Sequence, residues 1–410
     1  MGEFVMETAV SNTITLREHK QKESVPLTQA QAMQLKEHYS KFISVERSWG
    51  EGWTLTAKQY VGTIVLDDLR IVIRPKILLD NLFYMLTYAY DLPSFRNEIT
   101  TLGEADDLFE FITVIFANQV GQLVRRGLYR SYLEQEENRR FLRGKLLVAE
   151  QIRRNSVRVT HVYQQNCEFT ADILENQILK YILWQLSRLT FRTPHLRQRL
   201  RRLMSAFGET SLRMVRPWDC EQVIYTRLNG AYRNPLHLAQ LLLQNLSLEN
   251  QVGNTFFPAF LFDMNNVFEL FVARYLKQYL AENHSDFGIE IQPKIWLGLE
   301  VKERGIPDIV LQHHGRRFMV LDTKYKGFTG MPSINDRNQM YMYCRSMGLT
   351  HGCLIYPEEA DYQNTFPDVK LRGVGLSLNG ELAVFQEHCQ QFGQQFIDLA
   401  ADVVSTPAQF

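Results

Sequence analysis

The spacing of apolar residues predicts a different kind of structure in each of three successive segments. At the N-terminus, NTITLRE (12–18) alternates apolar and polar residues, as a half-buried β-strand does. PLTQAQAMQLKEHYSKF (26–42) has helical spacing, and Thr28 is placed to cap its first turn. WTLTAKQYVGTIVLDDLRIVIRPKI (53–77) is rich in β-branched residues and predicts two or three strands. Residues 1–80 are therefore predicted to form a small mixed or β-rich domain, either a five-stranded barrel or a compact α+β module.

The middle segment, residues 81–255, has mostly helical periodicity. Four stretches carry apolar residues at intervals of three and four positions. They are NLFYMLTYAYDL (81–92), LFEFITVIFANQVGQLVRRGL (108–128), ILENQILKYILWQLSRLTF (173–191) and HLRQRLRRLMSAF (195–207). This pattern predicts a helical domain.

The last segment, residues 256–410, mixes both periodicities. Helices are predicted at 263–283, 335–348 and 386–404, and strands at 289–301, 308–312, 316–324, 351–357 and 374–385. This order is typical of an α/β domain with a central mixed sheet. The whole chain is thus predicted to be a multidomain α+β protein.

Charge is unevenly distributed, although the chain as a whole is neutral. Residues 121–205 carry 17 basic and seven acidic side chains, a net charge of +10. Such a basic region suits a polyanion such as DNA, an acidic partner, or simply solvated helix faces. The candidate phosphate-binding residues are Arg188, Arg192, Arg197, Arg199, Arg201 and Arg202.

Several classes of protein are disfavoured. The five cysteines include no C-x-x-C pair, which argues against a disulfide framework or a zinc knuckle. The chain has no uncharged run of 18 apolar residues and no signal-peptide pattern at its start, so we expect a cytoplasmic protein without a membrane span. Gly144-Lys145 is followed by leucine, so no P-loop is present and no nucleotide is expected to bind.

Candidate chemistry lies at the end of the strand RRFMVLDTK. Asp322 and Lys324 are two apart and so share one face, whereas Thr323 is expected to point away. A short turn joins this strand to the one that follows Pro307-Asp308, so a hairpin would bring Asp308 beside Asp322. The alternative is an exposed strand end with a solvated ion pair.

Two carboxylates and a lysine suit metal-dependent hydrolysis of a phosphodiester. Oxygen ligands suit Mg²⁺, and the Thr323 backbone carbonyl could supply one beside Asp308 and Asp322. Lys324 could orient or deprotonate the attacking water if its neighbours lower its pKa. Glu269, on the preceding predicted helix, could add an acid or bind the metal through water.

Gln339 and Tyr343 are four apart and share one face of a predicted helix. In a catalytic role, both lie near the scissile phosphate. In a structural role, Tyr343 is a half-buried core tyrosine.

The order of these residues resembles the PD-(D/E)xK nuclease fold, in its RecB-like branch. Further segments in the expected order are similar to the McrC family. They are NLFYMLTYAYDL (81–92), LVRRGLYRSY (123–132), FLRGKLLVAEQI (141–152), EFTADILENQILK (168–180), VLDTKYK (320–326), NQMYMY (338–343) and GCLIYP (352–357).

The resemblance implies the nuclease subunit of a McrBC-type, modification-dependent restriction system for phage defence. It implies Mg²⁺, for which Mn²⁺ can substitute, modified double-stranded DNA, and a McrB-like AAA+ GTPase hexamer that the N-terminal half engages. Asp308 and Asp322 would then bind the metal and Lys324 would be the catalytic lysine, with Glu269, Gln339 and Tyr343 in supporting roles. The alternatives are a non-cleaving activator or scaffold of the ring, and a stand-alone RecB-like repair nuclease. The residues before position 81 could contact the ring, bind DNA or brace the helical domain.

Overall fold

A computed structural model gives the fold. It describes residues 12–66, 69–92, 108–157, 160–252, 255–284, 286–297, 304–366 and 368–405. By packing, the chain divides into two compact units. One unit combines residues 1–104 with residues 247–410, and the other, residues 105–246, is inserted between those two stretches. These boundaries differ from the predicted ones at 80 and 255, because strands from both ends of the chain pair in one sheet.

The described residues in the N-terminal part of the first unit form six strands and two helices. They are β1 (Asn12–Arg17), β2 (Gln21–Val25), α1 (Gln29–His38), β3 (Ile43–Arg47), β4 (Trp53–Ala57), β5 (Tyr60–Leu66), β6 (Leu69–Arg74) and α2 (Leu79–Ala89). The predicted cap of α1 is confirmed, since Thr28 Oγ1 accepts from Gln31 N at 3.2 Å and Gln31 Oε1 accepts from Thr28 N at 3.0 Å. The short strands β2 and β3, which flank β4, were not predicted.

The inserted unit contains six helices and three strands in its described residues. They are α3 (Leu108–Arg126), β7 (Ser131–Arg139), β8 (Lys145–Leu146), α4 (Val148–Asn155), β9 (Val162–Thr170), α5 (Leu174–Ser187), α6 (Leu196–Ser205), α7 (Pro217–Glu221) and α8 (Arg233–Asn245). The helices predicted here are confirmed. The prediction of a mostly helical segment missed its strands, of which β7 and β9 form a nine-residue antiparallel ribbon. β7 is largely exposed and β9 buries only Tyr163 and Gln164, so neither strand has the apolar alternation that would have shown it in the sequence.

The C-terminal part completes the first unit. Its elements are β10 (Leu246–Val252), β11 (Thr255–Asp263), α9 (Met264–Asn283), β12 (Phe287–Ile291), β13 (Ile295–Trp296), β14 (Arg304–Gly305), β15 (Ile309–His313), β16 (Arg316–Thr323), α10 (Ile334–Met347), β17 (His351–Tyr356), β18 (Asp361–Thr365), β19 (Lys370–Gly375) and α11 (Leu382–Ser405). The strand predicted at 374–385 is wrong beyond Gly375, since α11 begins at Leu382. The strand predicted at 289–301 stops at Ile291, resumes in β13 and then runs into residues 298–303, outside the described residues.

Two sheets organise this unit. A six-stranded mixed sheet has the order β12-β15-β16-β17-β19-β18, in which β16, β17 and β19 run parallel. A five-stranded sheet has the order β1-β6-β5-β11-β10 and joins the two ends of the chain. Gly62 is required where β5 meets β11, because its φ is +141° and a Cβ there would lie 2.0 Å from the Phe260 carbonyl oxygen.

Helices from both ends of the chain share a core. The rings of Tyr84 on α2, Phe271 on α9 and Phe385 on α11 meet with centroids 5.6 to 6.1 Å apart. The buried Asn81 amide donates to the carbonyl oxygens of Leu378 at 3.0 Å and Gly380 at 2.9 Å. These contacts fix α2 against the C-terminal helices. None of the described helices is long and apolar enough to cross a membrane.

Candidate functional site

The hairpin formed by β15 and β16 brings Asp308 beside Asp322, as predicted. Ile309 pairs with Leu321, so the two aspartates are the next residues along each strand. Residues 319–321 are buried, and Asp322 itself is only 2% exposed. The apolar run thus holds a carboxylate inside the protein at the edge of a cleft.

Thr323 does not point away from this pair, and that prediction is wrong. Its backbone N and its Oγ1 both donate to Asp308 Oδ2, each at 2.7 Å. The strand ends at Thr323, so strict alternation of side chains no longer applies there. Both hydrogen bonds reach the same oxygen, which leaves Asp308 Oδ1 unengaged by Thr323.

Lys324 links the acids to helix α10. Its Nζ lies 2.6 Å from Asp322 Oδ2 and donates to Gln339 Oε1 at 3.0 Å. Asp336 Oδ1 lies 3.9 Å from the same nitrogen. The backbone N of Lys324 donates to the Ile355 carbonyl at 2.8 Å, which anchors the residue to β17. The ammonium is therefore held among two carboxylates and one amide.

Gln339 and Tyr343 do share a face of α10, and a hydrogen bond links their side chains. Gln339 Nε2 donates to the Tyr343 hydroxyl at 3.0 Å, and that hydroxyl donates to the Ile306 carbonyl oxygen at 3.3 Å. Gln339 lines the cleft, whereas Tyr343 is buried behind it. Tyr343 thus orients Gln339 and so acts indirectly on Lys324.

Glu269 reaches the same cleft from α9. Its Oε1 accepts from Gln292 Nε2 at 2.7 Å, and the backbone N of Gln292 donates to the Asp308 carbonyl at 2.9 Å. Gln292 adopts a left-handed conformation with φ of +48°. This one residue therefore ties Glu269 to the segment that carries Asp308.

Burial and like charge dominate the electrostatics of the site. Burial, with added repulsion from Asp308, raises the pKa of Asp322, and burial likewise raises the pKa of Asp308. Burial and then Asp308 raise the pKa of Glu269 to about 7. Burial lowers the pKa of Lys324, but Asp322, Asp336 and Asp308 outweigh it and the net pKa is raised. The condition under which Lys324 would deprotonate water, a pKa lowered by its neighbours, is therefore not met in these surroundings.

A cleft of about 420 Å³ contains the site. It is lined by His19, Gln59, Asn265, Glu269, Asp308, Asp322, Thr323, Lys324, Tyr325, Lys326 and Gln339. His19 and Gln59 were not identified from the sequence, because only long-range strand pairing brings them here. Asp336, which accepts from Lys326 at 2.6 Å, was also missed. The pattern of Ser333 followed by an acid three residues later marks a helix start and could have indicated it.

The cleft offers few side chains that could bind a metal ion. Within the residues the structure describes, no group of three or more His, Cys, Asp or Glu side chains is arranged to hold a metal ion. Side chains alone would therefore offer two carboxylates, from Asp308 and Asp322. Mg²⁺ commonly binds through one or two carboxylates and keeps several waters, so this set fits Mg²⁺ better than a metal that needs a full cage of side chains.

Fold and site together define a mixed α+β protein in which one cleft holds the buried Asp322, the half-buried Asp308 and a lysine. The family model for the McrBC 5-methylcytosine restriction system component matches residues 55–357. The chain therefore belongs to the family of McrBC restriction system components, and the resemblance predicted from the sequence is confirmed. No curated protein sequence matches it.

Two solved structures are similar to this chain, and the first of them supports its fold. One is the half-complex from a tetradecameric assembly of Thermococcus gammatolerans McrB AAA+ hexamers with bound McrC. It is 22% identical, with a TM-score of 0.59, over 93% of this chain and 100% of the other. A second, the Thermococcus gammatolerans McrBC complex, is 28% identical with a TM-score of 0.45, over 65% of this chain and 88% of the other.

Proposed function

We propose that this chain is the DNA endonuclease subunit of a McrBC-type restriction complex, with a nuclease domain of PD-(D/E)xK type. The observation that carries the proposal is the convergence of Asp308, Asp322 and Lys324 in one cleft, at the ends of paired strands in a mixed sheet. The substrate class is double-stranded DNA that carries modified cytosine, in keeping with the family's description.

The proposed partner is a McrB-like AAA+ GTPase hexamer. Support comes from the similarity in fold to a chain of an assembly in which McrB AAA+ hexamers bind McrC. The basic inserted unit and the exposed ribbon of β7 and β9 offer a large surface for such a partner or for DNA.

The residues present fit a divalent cation. Burial raises the pKa values of Asp308 and Asp322, and repulsion from Asp308 adds to the effect on Asp322, so a nearby cation would stabilise both carboxylates. Asp308, Asp322 and the Thr323 carbonyl would hold Mg²⁺. When bound, the ion supplies a water of lowered pKa and stabilises charge on the phosphate.

Lys324 and Glu269 would have different roles in the hydrolysis. The raised pKa of Lys324 keeps it an ammonium at neutral pH, so it would orient water or neutralise a phosphate oxygen rather than accept a proton. Two of its N–H groups face Asp322 and Gln339, which leaves one for the substrate. Glu269, with a pKa near 7, is matched to accept a proton close to neutral pH.

The test is Asp322→Asn in the full chain, assembled with its AAA+ partner, GTP and Mg²⁺ on linear duplex methylated at cytosine C5. Cleavage should fall by about a thousandfold or more, because several kcal/mol of transition-state stabilisation are lost. Stimulation of nucleotide hydrolysis should persist, because the change is isosteric and confined to the cleft.

The matched control is Asp361→Asn on the edge strand β18, where the aspartate is exposed. It should cut like the native chain. Cleavage by Asp322→Asn at the native rate would overturn the site. A native chain that stimulates its partner but never cuts would instead indicate a scaffold, and cutting without partner or nucleotide would indicate a stand-alone nuclease.

A further inference from the structure

The N-terminal strands form part of the cleft. His19 lies in the turn between β1 and β2, and Gln59 lies between β4 and β5, yet both line the cleft with Glu269, Asp308 and Asp322. His19 has φ of +56°, a left-handed conformation that turns the chain sharply at this point. Two tight turns thus present polar side chains to the acidic site.

His19 and Gln59 form one wall of the cleft, and three hydrogen bonds fix the backbone of this wall. Glu18 N donates to Arg74 O at 2.9 Å, and His19 N donates to Lys58 O at 3.3 Å. Gln59 O accepts from Met264 N at 3.0 Å, at the first residue of α9. Since α9 also carries Glu269, the wall and the site share one helix.

The side chain of Glu18 links His19 to the lysine segment. Glu18 is 1% exposed, and its Oε2 accepts from Lys76 N at 3.2 Å and from the Tyr325 hydroxyl at 3.3 Å. Tyr325 follows Lys324 directly. The other carboxylate oxygen, Oε1, has no hydrogen-bond partner and lies 3.4 Å from His19 Nε2. A carboxylate beside one ring nitrogen restrains the imidazole and leaves the second nitrogen for another group.

We propose that His19 contacts a backbone phosphate of DNA in the cleft, next to the phosphate that is cut. This inference rests on the proposed function and adds a substrate-contacting residue from the N-terminal strands.

The chemistry of the cleft favours this role. Its acids would face a metal and repel phosphate, so the phosphate oxygens need donors from elsewhere in the cleft. His19, Gln59 and Asn265 are uncharged donors that line it. Burial and then Lys76 lower the pKa of His19, so its imidazole is neutral and carries a single N–H. Because burial raises the pKa of Glu18 to about 7, a protonated Glu18 carboxyl would face Nε2, which leaves that N–H on Nδ1 to donate to the phosphate.

The first test compares His19→Asn with His314→Asn in the complete complex, using linear duplex methylated at cytosine C5. Asparagine tolerates the left-handed backbone that both histidines adopt. His314 is exposed in the turn between β15 and β16, about 20 Å along the strands from the acids. His19→Asn should cut about ten- to a hundredfold more slowly, as expected for losing a hydrogen bond to a charged group, while His314→Asn should cut like the native chain.

The second test measures proximity without cleavage. Cys167 is the exposed cysteine among those described, so Cys167→Ser gives a background in which the other four are buried. The His19→Cys and His314→Cys variants in this background are then mixed with a DNA duplex in a buffer that contains Ca²⁺. The duplex carries a thiol-reactive group on one backbone phosphate. Cross-linking at position 19 and not at position 314 is the expected result.

The outcomes separate this inference from the proposed function. If native chain and His314→Asn cut normally, and His19→Asn matches them without cross-linking at position 19, His19 does not contact DNA. If the native chain does not cut, the proposed function fails first. Equal melting temperatures of the two asparagine variants would show that slower cleavage does not come from unfolding.

Discussion

At the scale of single residues, burial sets the chemistry of the cleft more than sequence spacing does. Asp322 and Lys324 were placed together correctly, because residues two apart on a strand share a face. The direction of Thr323 and the raised pKa of Lys324 could not be predicted in this way. Both depend on Asp308, Asp336 and the end of β16, which only the folded chain brings together.

Glu18 provides a test of buried charge. Burial raises its pKa to about 7 despite the opposing effect of Lys76. The native state therefore keeps a proton that the unfolded chain loses between about pH 4.5 and 7, so this residue lowers stability as the pH rises through that window. The cost above pH 7 is about 3 kcal/mol.

Glu18→Gln should remove that cost. Denaturant unfolding of the full chain at pH 5 and pH 8 should show the variant losing less stability than the native chain as the pH rises. The exposed Glu51, changed to Gln, is the control and should follow the native chain. Parallel losses in all three proteins would contradict the assigned cause.

At the scale of elements, segments with strong local signals were predictable. The helices α1, α5 and α9 and the hairpin of β15 and β16 have clear periodicity, a cap or a short turn. Elements whose partners are remote were missed or misplaced. The ribbon of β7 and β9 buries only Tyr163 and Gln164, and β18 is a mostly exposed edge strand, so neither carries an apolar pattern.

The contact between β5 and β11 depends on Gly62. Gly62→Ala should destabilise the first unit by about 3 kcal/mol or more, because the new Cβ would meet a backbone carbonyl and the φ of +141° suits only glycine. Thermal unfolding followed by circular dichroism measures this. Gly50→Ala, which meets open space, should change little. A Gly62→Ala protein with native stability would show that β5 and β11 do not pair as described.

At the scale of the whole molecule, the two compact units predict how fragments behave. Residues 105–246 form one unit and should unfold cooperatively when expressed alone. Residues 256–410, the segment predicted from sequence as the nuclease domain, should not unfold cooperatively when expressed alone. In this fragment β11 would lose its partner β5, and the helices α9 and α11 would lose their contacts with α2.

Circular dichroism melts and proton–nitrogen correlation spectra of the two fragments test this prediction. Co-expression of residues 1–104 with residues 247–410 should restore a folded complex. A well-dispersed spectrum from residues 256–410 alone would show that the N-terminal strands are dispensable for folding.

The insertion also dictates an order of events during protein synthesis. Nearly 190 residues separate the end of β5 at Leu66 from the start of β11 at Thr255. At cellular rates of translation this interval lasts about 10 to 40 seconds. During this interval the apolar strand β5 has no β11 to pair with, while the inserted unit emerges from the ribosome and can fold. His19 is made near the beginning and Asp322 near the end, so a ribosome that stops early releases a chain with no cleft.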